Sequence, residues 1–326
     1  MKIKLFFVTL ATLSVASCEE NAHPCKFTVK VVDDQEMPVS NATVGVSTFL
    51  KWEPGQGFGE DIYDTEKSLS DLTGEASFSF QSKTGKIGIG VDAGDDYYRS
   101  NWPHYKFKQV VSGRWIPENP TIPYVLKRKR DPIPLYAKTY IINHTTIPKK
   151  NEKCGYDLEK GDWIAPHGKG VTPDIVFNLE VNRDNGVYDN DCTLKVAFSN
   201  EGDGLISSPK PLNEGSELRL DYLAPEKGYK PTLSMTASTD LADKVRHDGF
   251  ERTRNYYLRV RTKLDEDGEL IRANYAKVHG DFEFWYTGDM RFTYYFNPTP
   301  NDRNLEFDPS KNLFQNLEDA MRVSDP

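Results

Sequence analysis

The side chains that could do acid–base chemistry near neutral pH are scattered along this chain. Its six histidines are His23, His104, His144, His167, His247 and His279. No two of them are spaced as metal ligands on one element, and no Gly-x-Ser-x-Gly, His-Glu-x-x-His or Walker motif is present. These absences argue against the commonest hydrolases and nucleotide enzymes, and we predict no metal site and no cofactor. The sequence is still compatible with a glycosidase, because that class of enzyme needs only two carboxylates at a set separation.

One segment, residues 161–174, is dense in functional side chains. It contains Asp162, Trp163, His167 and Asp174. His167 could act as an acid or base if this segment lined a pocket, since histidine titrates near neutral pH. The glycines and prolines of the segment favour instead a loop that Trp163 pins to the body of the protein. We adopt the loop interpretation.

Two further segments, residues 181–191 and 297–308, carry enough side-chain oxygens to suggest calcium. Neither follows the ligand order of an EF-hand loop. In the first we predict a simple turn around Asn185 and Gly186. In the second we predict that the polar side chains bond their own backbone, with Arg303 paired to one of the carboxylates of the segment.

The N-terminus has the layout of a secretory signal. Lys2 and Lys4 precede an uncharged run, residues 5–15, which is too short for a transmembrane helix of about 20 apolar residues. The next residues, Val-Ala-Ser-Cys ending at Cys18, resemble the bacterial lipobox, in which the cysteine becomes the lipidated first residue of the mature chain. The resemblance implies a signal peptide over residues 1–17, palmitate on Cys18 and a lipidated tether over residues 18–26. Ordinary cleavage that leaves a free Cys18 thiol is the alternative.

The other three cysteines raise the question of a disulfide, which an exported protein can keep. We predict a bridge between Cys154 and Cys192, because Cys25 lies in the tether close behind the anchor. A bridge closing a loop of this length would stabilise the fold by roughly 4 kcal/mol in the chain-entropy model. Two free buried thiols are the alternative. No Cys-x-x-Cys spacing accompanies these residues to indicate a metal.

Composition limits the partners and suggests the fold class. Loss of residues 1–17 removes two lysines and takes the net charge from −8 to −10. A chain this acidic is a poor candidate for nucleic-acid binding, which depends on basic surface. The length exceeds what one hydrophobic core usually covers, so two domains are expected. The 17 Tyr, 17 Phe and 5 Trp favour β structure.

The residues after the tether alternate with the period of β-strands. Apolar side chains occupy every second position in residues 27–31, 42–46, 76–80 and 87–91, and turn-forming residues lie between these runs. Several short strands with turns between them predict an antiparallel, Ig-like β-sandwich.

Four motifs follow one another in this region: VKVVD at residues 29–33, PVSNATV at 38–44, TGEASF at 73–78 and GKIGIGVDA at 85–93. Their order resembles the carboxypeptidase regulatory-like domain. The resemblance implies a transthyretin-like β-sandwich over residues 27–127 and a non-catalytic accessory role.

An insert between the second and third motifs, residues 51–70, is long for that family. Its aromatic residues Trp52, Phe58 and Tyr63 could offer a stacking surface to sugars. We expect them instead to pack the insert onto its own sheet.

A proline-rich connector over residues 128–135 follows the first domain. At its start, Lys127 to Arg130 form a dense basic run. We interpret this run as a solvated strand end, with contact to anionic lipid or an acidic partner as the alternative.

Residues 136–326 again favour strands and resemble no family that we recognise. We predict a larger β-sandwich or jelly-roll-like domain. A short helix is expected near residues 240–246. A C-terminal helix is expected within residues 308–323, where Asp308 can cap and apolar side chains recur on one stripe.

Together these patterns predict a mainly β lipoprotein of the bacterial cell envelope, periplasmic or surface-exposed. Its partners would be the membrane, through the lipid anchor, and a carbohydrate or envelope protein, in a non-catalytic binding or structural role. The alternatives are a polysaccharide-binding module and a glycan-active enzyme with an acidic pair in the C-terminal domain.

Overall fold

The computed structural model describes residues 21–53, 59–99, 103–140, 145–209, 216–242, 244–251 and 254–326. Within these ranges the regular structure consists of β-strands and two short 3-10 turns. The prediction of a mainly β fold is therefore confirmed. Among the described residues, no helix has the length and apolar character needed to span a bilayer.

The first sandwich contains nine strands: β1 (His23–Asp33), β2 (Thr43–Glu53), β3 (Glu60–Leu69), β4 (Glu75–Ser82), β5 (Lys86–Asp92), β6 (His104–Lys106), β7 (Gln109–Val111), β8 (Arg114–Ile116) and β9 (Thr121–Leu126). One sheet has the order β4-β1-β9, the facing sheet has the order β3-β2-β5-β6, and β7 and β8 form a separate antiparallel pair. Strand β1 runs antiparallel to β4 and parallel to β9.

The period-two pattern explains why these strands form two layers. Phe27, Val29 and Val31 of β1 are fully buried, as is Val44 of β2. Their side chains join one core with Ile87 and the other inward residues of β5. The alternate positions face outward, so each sheet has one apolar and one exposed face. The predicted β-sandwich is confirmed.

The second sandwich contains eleven strands: β10 (Tyr136–Thr139), β11 (Lys153–Asp157), β12 (Asp162–Trp163), β13 (Ile175–Asp184), β14 (Asn190–Ala197), β15 (Gly204–Pro209), β16 (Thr232–Thr239), β17 (Arg246–Asp248), β18 (Arg254–Leu264), β19 (Leu270–Phe284) and β20 (Met290–Asn297). They form a five-stranded sheet, β10-β20-β19-β18-β15, and a six-stranded sheet, β12-β11-β13-β14-β16-β17. An aromatic-rich core that includes Phe177, Phe282 and Phe292 lies between them.

The C-terminal helix predicted within residues 308–323 is absent. That segment has only two 3-10 turns, Pro309–Lys311 and Asp319–Met321, and Asp308 caps the first by accepting a hydrogen bond from the Ser310 amide. The amide of Leu313 donates to the Leu135 carbonyl at 3.0 Å, and the Asn312 side chain bonds both backbone groups of Ala137. The segment thus provides hydrogen-bond partners for backbone groups at the edge of β10, and these hydrogen bonds replace those of the predicted helix.

The short helix predicted near residues 240–246 is also absent. The chain makes a turn there, and β17 begins at Arg246. Lys244 has a positive φ of 57°, which a right-handed helix does not allow.

The two sandwiches meet through a buried carboxylate, Glu306. Its Oε1 accepts hydrogen bonds from the Tyr98 hydroxyl at 2.7 Å and from the Arg130 amide at 2.8 Å. Its Oε2 accepts from the Asp131 amide at 2.7 Å. Tyr98 lies between β5 and β6 of the first sandwich, whereas Glu306 follows the last strand of the second. One side chain therefore joins the first sandwich, the connector and the second sandwich.

The basic run Lys127 to Arg130 lies at this junction, just after the end of β9, and Arg128, Lys129 and Arg130 are exposed, as predicted for a solvated strand end. Lys127 is buried. The charged groups of Arg128, Lys129 and Arg130 lie over the rings of three tyrosines, with Arg130 only 4.0 Å from the centroid of Tyr222. Such cation–π contacts stabilise the packing of the basic side chains on the tyrosine rings. The run accordingly packs the connector against both sandwiches.

Candidate ligand-binding cleft

The outer face of the sheet β3-β2-β5-β6 has a floor without large side chains. In β5, inward isoleucine and valine alternate with outward Gly88 and Gly90. In β2, the outward positions opposite them are Ser47 and Gly45. We call these four residues the glycine groove. A Cβ added at Gly88 would lie 2.8 Å from Ser47 Oγ, so a side chain there would occupy the groove.

At one end of the glycine groove lies a cavity of about 510 Å³, which we call the junction cleft. Gly45 and Gly90 form part of its floor, and Tyr97 and Tyr98 contribute aromatic surface. Its wall includes residues from both sandwiches and from the connector. Six charged residues line it: Lys67, Asp92, Asp95, Arg99, Lys129 and Glu217.

The charges of the junction cleft balance, because three are basic and three are acidic. Burial raises the pKa of Glu217, and the nearby Arg99 and Lys129 act in the opposite direction. The Glu217 amide donates to the Arg99 carbonyl at 2.9 Å, which holds this part of the second sandwich against the first. The cleft therefore offers fixed donors and acceptors without a strong net field.

A second cavity, of about 220 Å³, lies further along the same sheet face. Ser47 and Gly88 line it together with Phe49, Tyr63 and His104. Phe49 and Tyr63 are paired in register and meet edge to face with ring centroids 6.1 Å apart. Each cavity includes two residues of the glycine groove, and we call the two cavities together with the groove between them the depression.

Trp52 extends the aromatic end of this depression. It pairs in register with Asp61, two residues from Tyr63, and so shares the same sheet face. The Trp52 side chain is 57% exposed and that of Tyr63 is 52% exposed. The Trp52 indole lies against Gly59, where an added Cβ would be 1.8 Å from Cζ2. Both rings pack on their own hairpin, as expected, but each leaves more than half of its surface exposed. Phe58 lies outside the described residues.

The segment 161–174 is a structural loop, as the sequence predicted. Trp163 is buried in the core of the second sandwich. His167 is exposed, and its amide donates to the Ile164 carbonyl in a turn. Asp162 accepts hydrogen bonds from the amides of Trp163 and Lys169. These contacts order the loop. His167 is exposed on it and does not form a pocket with the other three residues.

Asp174 is bound by Arg261, together with two other carboxylates. Arg261 Nε donates to Asp174 at 2.8 Å, and its terminal nitrogens reach Glu159 at 2.6 Å and Asp157 at 3.4 Å. The second oxygen of Asp157 accepts the amides of Val171 and Thr172. Since these carboxylates are engaged by a cation or by backbone donors, they organise the loop and do not fit an acid–base pair.

The two segments considered for calcium are also structural. In residues 181–191, the Asn185 amide donates to the Asp189 carbonyl around Gly186, which confirms the predicted turn. In residues 297–308, the Asn297 side chain donates to Asp302 and to the Asn304 carbonyl. Among the described residues, no group of three or more His, Cys, Asp or Glu side chains is arranged to hold a metal ion.

Arg303 does not pair with a carboxylate of its own segment. It bonds the Ala224 carbonyl at 2.9 Å and forms an ion pair with Glu226 at 3.0 Å. Residues 297–308 are thus tied to the segment that follows Leu223, which lies beside them in the fold.

The predicted Cys154–Cys192 disulfide is wrong, because both thiols are free and buried. Cys154 in β11 pairs with Phe177 of β13, and Cys192 in β14 pairs with Val181 of that strand. The two cysteines are therefore separated by two strand spacings, about 10 Å, and by a further 13 Å or so along β13. A disulfide needs Cα atoms within about 7 Å. Cys25 is likewise free and buried, whereas Cys18 lies outside the described residues.

The junction cleft was not identified from the sequence. The alternation of glycine with isoleucine in residues 85–90 is a local signal that could have suggested a bare sheet face. Lys67, Lys129 and Glu217 carry no such signal, because they come together only when the two sandwiches pack.

No family model matches the chain, and no curated protein matches it. One solved structure found by comparison is a DUF3823 family protein from Parabacteroides merdae ATCC 43184, at 8% sequence identity. The similarity covers 83% of this chain and 96% of that chain, with a TM-score of 0.18. We base no conclusion about fold or function on a similarity of this size.

Proposed function

We propose that this protein is an exported bacterial lipoprotein, anchored in a cell-envelope membrane through Cys18, that binds a ligand without transforming it. Two features support the proposal: the signal-like N-terminus ending in a lipobox-like tetrapeptide, and the junction cleft. The proposed binding role rests on the junction cleft, whose walls come from both sandwiches and from the connector. In the same proposal, the first sandwich is a carboxypeptidase regulatory-like module.

The ligand that suits the junction cleft is a neutral polar molecule, and a carbohydrate is the class we propose. Three cations and three carboxylates face the cavity, so an ion of either sign would meet repulsion as well as attraction. Hydroxyl groups can donate to carboxylates and accept from ammonium or guanidinium groups. The rings of Tyr97 and Tyr98 add apolar surface beside these polar groups.

The anchor is tested by labelling the full chain with palmitate in a bacterial host. Cys18→Ala should abolish the label and release the protein from the membrane fraction, because two or more acyl chains are needed for firm retention. Cys25→Ala is the matched control and should keep both the label and the membrane location, since Cys25 is buried in the first sandwich. Label retained by Cys18→Ala would contradict the anchor.

A second candidate function is glycan cleavage, with Glu217 as the acid. The observation that favours it is the raised pKa of this partly buried carboxyl, which lines the same cavity as Asp92 and Asp95. Incubation of the full chain with neutral oligosaccharides distinguishes the two functions. Binding without new reducing ends supports the non-catalytic role, and turnover lost in Glu217→Gln would replace it by an enzyme.

A further inference from the structure

We propose that the ligand is a linear neutral glycan that lies along the glycine groove, from the junction cleft to Trp52 and Tyr63. This inference rests on the proposed carbohydrate-binding function and specifies the shape of the ligand. The observation behind it is that two cavities and an exposed aromatic pair share one face of one sheet.

The strand register places the two cavities next to each other on one sheet face. Along β2, Thr43 and Gly45 line the junction cleft, whereas Ser47 and Phe49 line the second cavity. These four residues occupy alternate positions and so face the same side. From residue 43 to residue 49 the strand rises by roughly 20 Å. A depression of that length accommodates several sugar rings in a row and is much longer than one.

The floor of the depression suits flat rings. Gly45 faces Gly90, and Ser47 faces Gly88, so two adjacent strands lack bulky side chains at these positions. Gly45 also pairs with Lys67 of β3, which places a long polar side chain at one side of the floor. On the other side, His104 of β6 pairs with Gly88. A bare floor between polar walls can hold an extended chain that bonds to either side.

The aromatic end supplies surface for stacking. Trp52 and Tyr63 are each more than half exposed, and the Trp52 ring is backed on one side by Gly59. Exposed aromatic rings with a polar atom suit ligands that are apolar on one face and polar at the edge. Sugar rings have this character, since their C–H groups lie on the faces and their hydroxyls at the rim.

Charge argues against polyanions as the occupant. The depression has no excess of positive charge, because the carboxylates of Asp61, Asp92, Asp95 and Glu217 balance Lys67, Lys86, Arg99 and Lys129 along it. Nucleic acids and acidic polysaccharides bind through basic surface, which this balance does not supply. A neutral chain needs no such surface.

The test is calorimetric titration of the full chain with a neutral oligosaccharide series of increasing length. We expect affinity to rise with length until the depression is filled. Trp52→Ala and Tyr63→Ala should each weaken binding of the longest member by about tenfold, because each removes one aromatic contact. Both variants should leave the shortest member, held in the junction cleft, unchanged.

Tyr188→Ala is the control, because Tyr188 is 53% exposed on the second sandwich, away from the depression. It should leave the whole series unchanged. The extended site would be wrong if the longest oligosaccharide bound no more tightly than the shortest, or if both aromatic variants left the affinity for the longest one unchanged. Either result would leave the proposal of binding in the junction cleft intact. If no oligosaccharide bound, or if a neutral Gly-Ser peptide bound with the same dependence on Trp52, the glycan proposal itself would be wrong.

Discussion

At the scale of single residues, Lys277 of β19 is the most unusual side chain in the second sandwich. It is fully buried, and within the described residues its Nζ has no hydrogen-bond partner. The ammonium nitrogen lies 4.6 Å from the centroid of the Tyr295 ring. The pKa of Lys277 is lowered to about 7, mainly by burial; Glu306 opposes this shift, and Lys127 and Arg219 contribute to it. A charged lysine in this position costs stability that an apolar side chain would not.

Lys277→Met should therefore stabilise the protein at pH 6, by roughly 2–5 kcal/mol, since each pKa unit corresponds to about 1.4 kcal/mol. Between pH 7 and about 10.4 the unfolded lysine holds a proton that the folded one has lost, so the stability of the unmodified protein rises with pH in this window. The advantage of the variant should disappear by pH 10. Urea unfolding at both pH values measures it.

The exposed Lys263 provides the matched control, because Lys263→Met makes the same chemical change outside the core. It should alter the free energy of unfolding by no more than about 0.5 kcal/mol at pH 6. A Lys277→Met protein that is less stable than the unmodified protein at pH 6 would show that the buried ammonium is favourably bound.

At the scale of elements, a bulge in β18 determines the shape of the loop over residues 157–174. The register with β19 shifts between Val260 and Lys263, and Arg261 within this bulge has a positive φ of 56°. Bulges re-aim side chains, and here the guanidinium reaches Asp174 and Glu159 in the other sheet. One irregular residue thus connects the two sheets at this end of the sandwich.

Arg261→Met should destabilise the protein by about 3–5 kcal/mol, because it leaves buried carboxylates without their cation. The melting temperature and the urea midpoint measure the loss. Arg272→Met, on the exposed end of the neighbouring strand β19, is the control and should have little effect. Arg261→Lys should recover only part of the stability, since lysine cannot bond several carboxylates in a planar arrangement. Full recovery with lysine would mean that charge alone matters.

At the scale of the whole molecule, the junction around Glu306 sets how the two sandwiches sit together. This carboxylate accepts one hydroxyl and two backbone amides and is 1% exposed. The junction cleft depends on the same arrangement, because Tyr98 lines the cleft and also donates to Glu306. Loosening the junction should therefore affect the cleft before it affects either core.

Glu306→Gln should speed hydrogen exchange by at least tenfold at one of two amides, that of Arg130 or that of Asp131, because these amides bond different carboxylate oxygens and one oxygen is replaced by an NH₂ group that cannot accept. Exchange in the inner strands β1 and β19 should stay as it is. Glu318→Gln, a change at an exposed position near the C-terminus, should leave both regions unaffected. Uniformly faster exchange throughout the chain would indicate global destabilisation and contradict a local role.

The errors of prediction have a common cause at this scale. The apolar residues within 308–323 recur with helical spacing. Residues 312 and 313 nevertheless form hydrogen bonds with the edge of β10, which lies about 175 positions earlier in the chain. The disulfide prediction set Cys25 aside because of its place in the tether and could not include the order of strands, in which β13 separates the other two cysteines. Contacts distant in sequence decided both outcomes.

What the sequence by itself determined is the alternation that makes strands, the two-sandwich fold class and the structural nature of the loop pinned by Trp163. These depend on neighbours within a few residues, because burial of every second side chain follows directly from strand geometry. Only the tertiary structure decided that Lys67, Lys129 and Glu217 line one cleft and that Gly45 and Gly90 share its floor. Lys129 and Glu217 reach the cleft because the two sandwiches pack together, and Gly45 lies beside Gly90 because β2 pairs with β5 in register. No local pattern in the sequence contains this information.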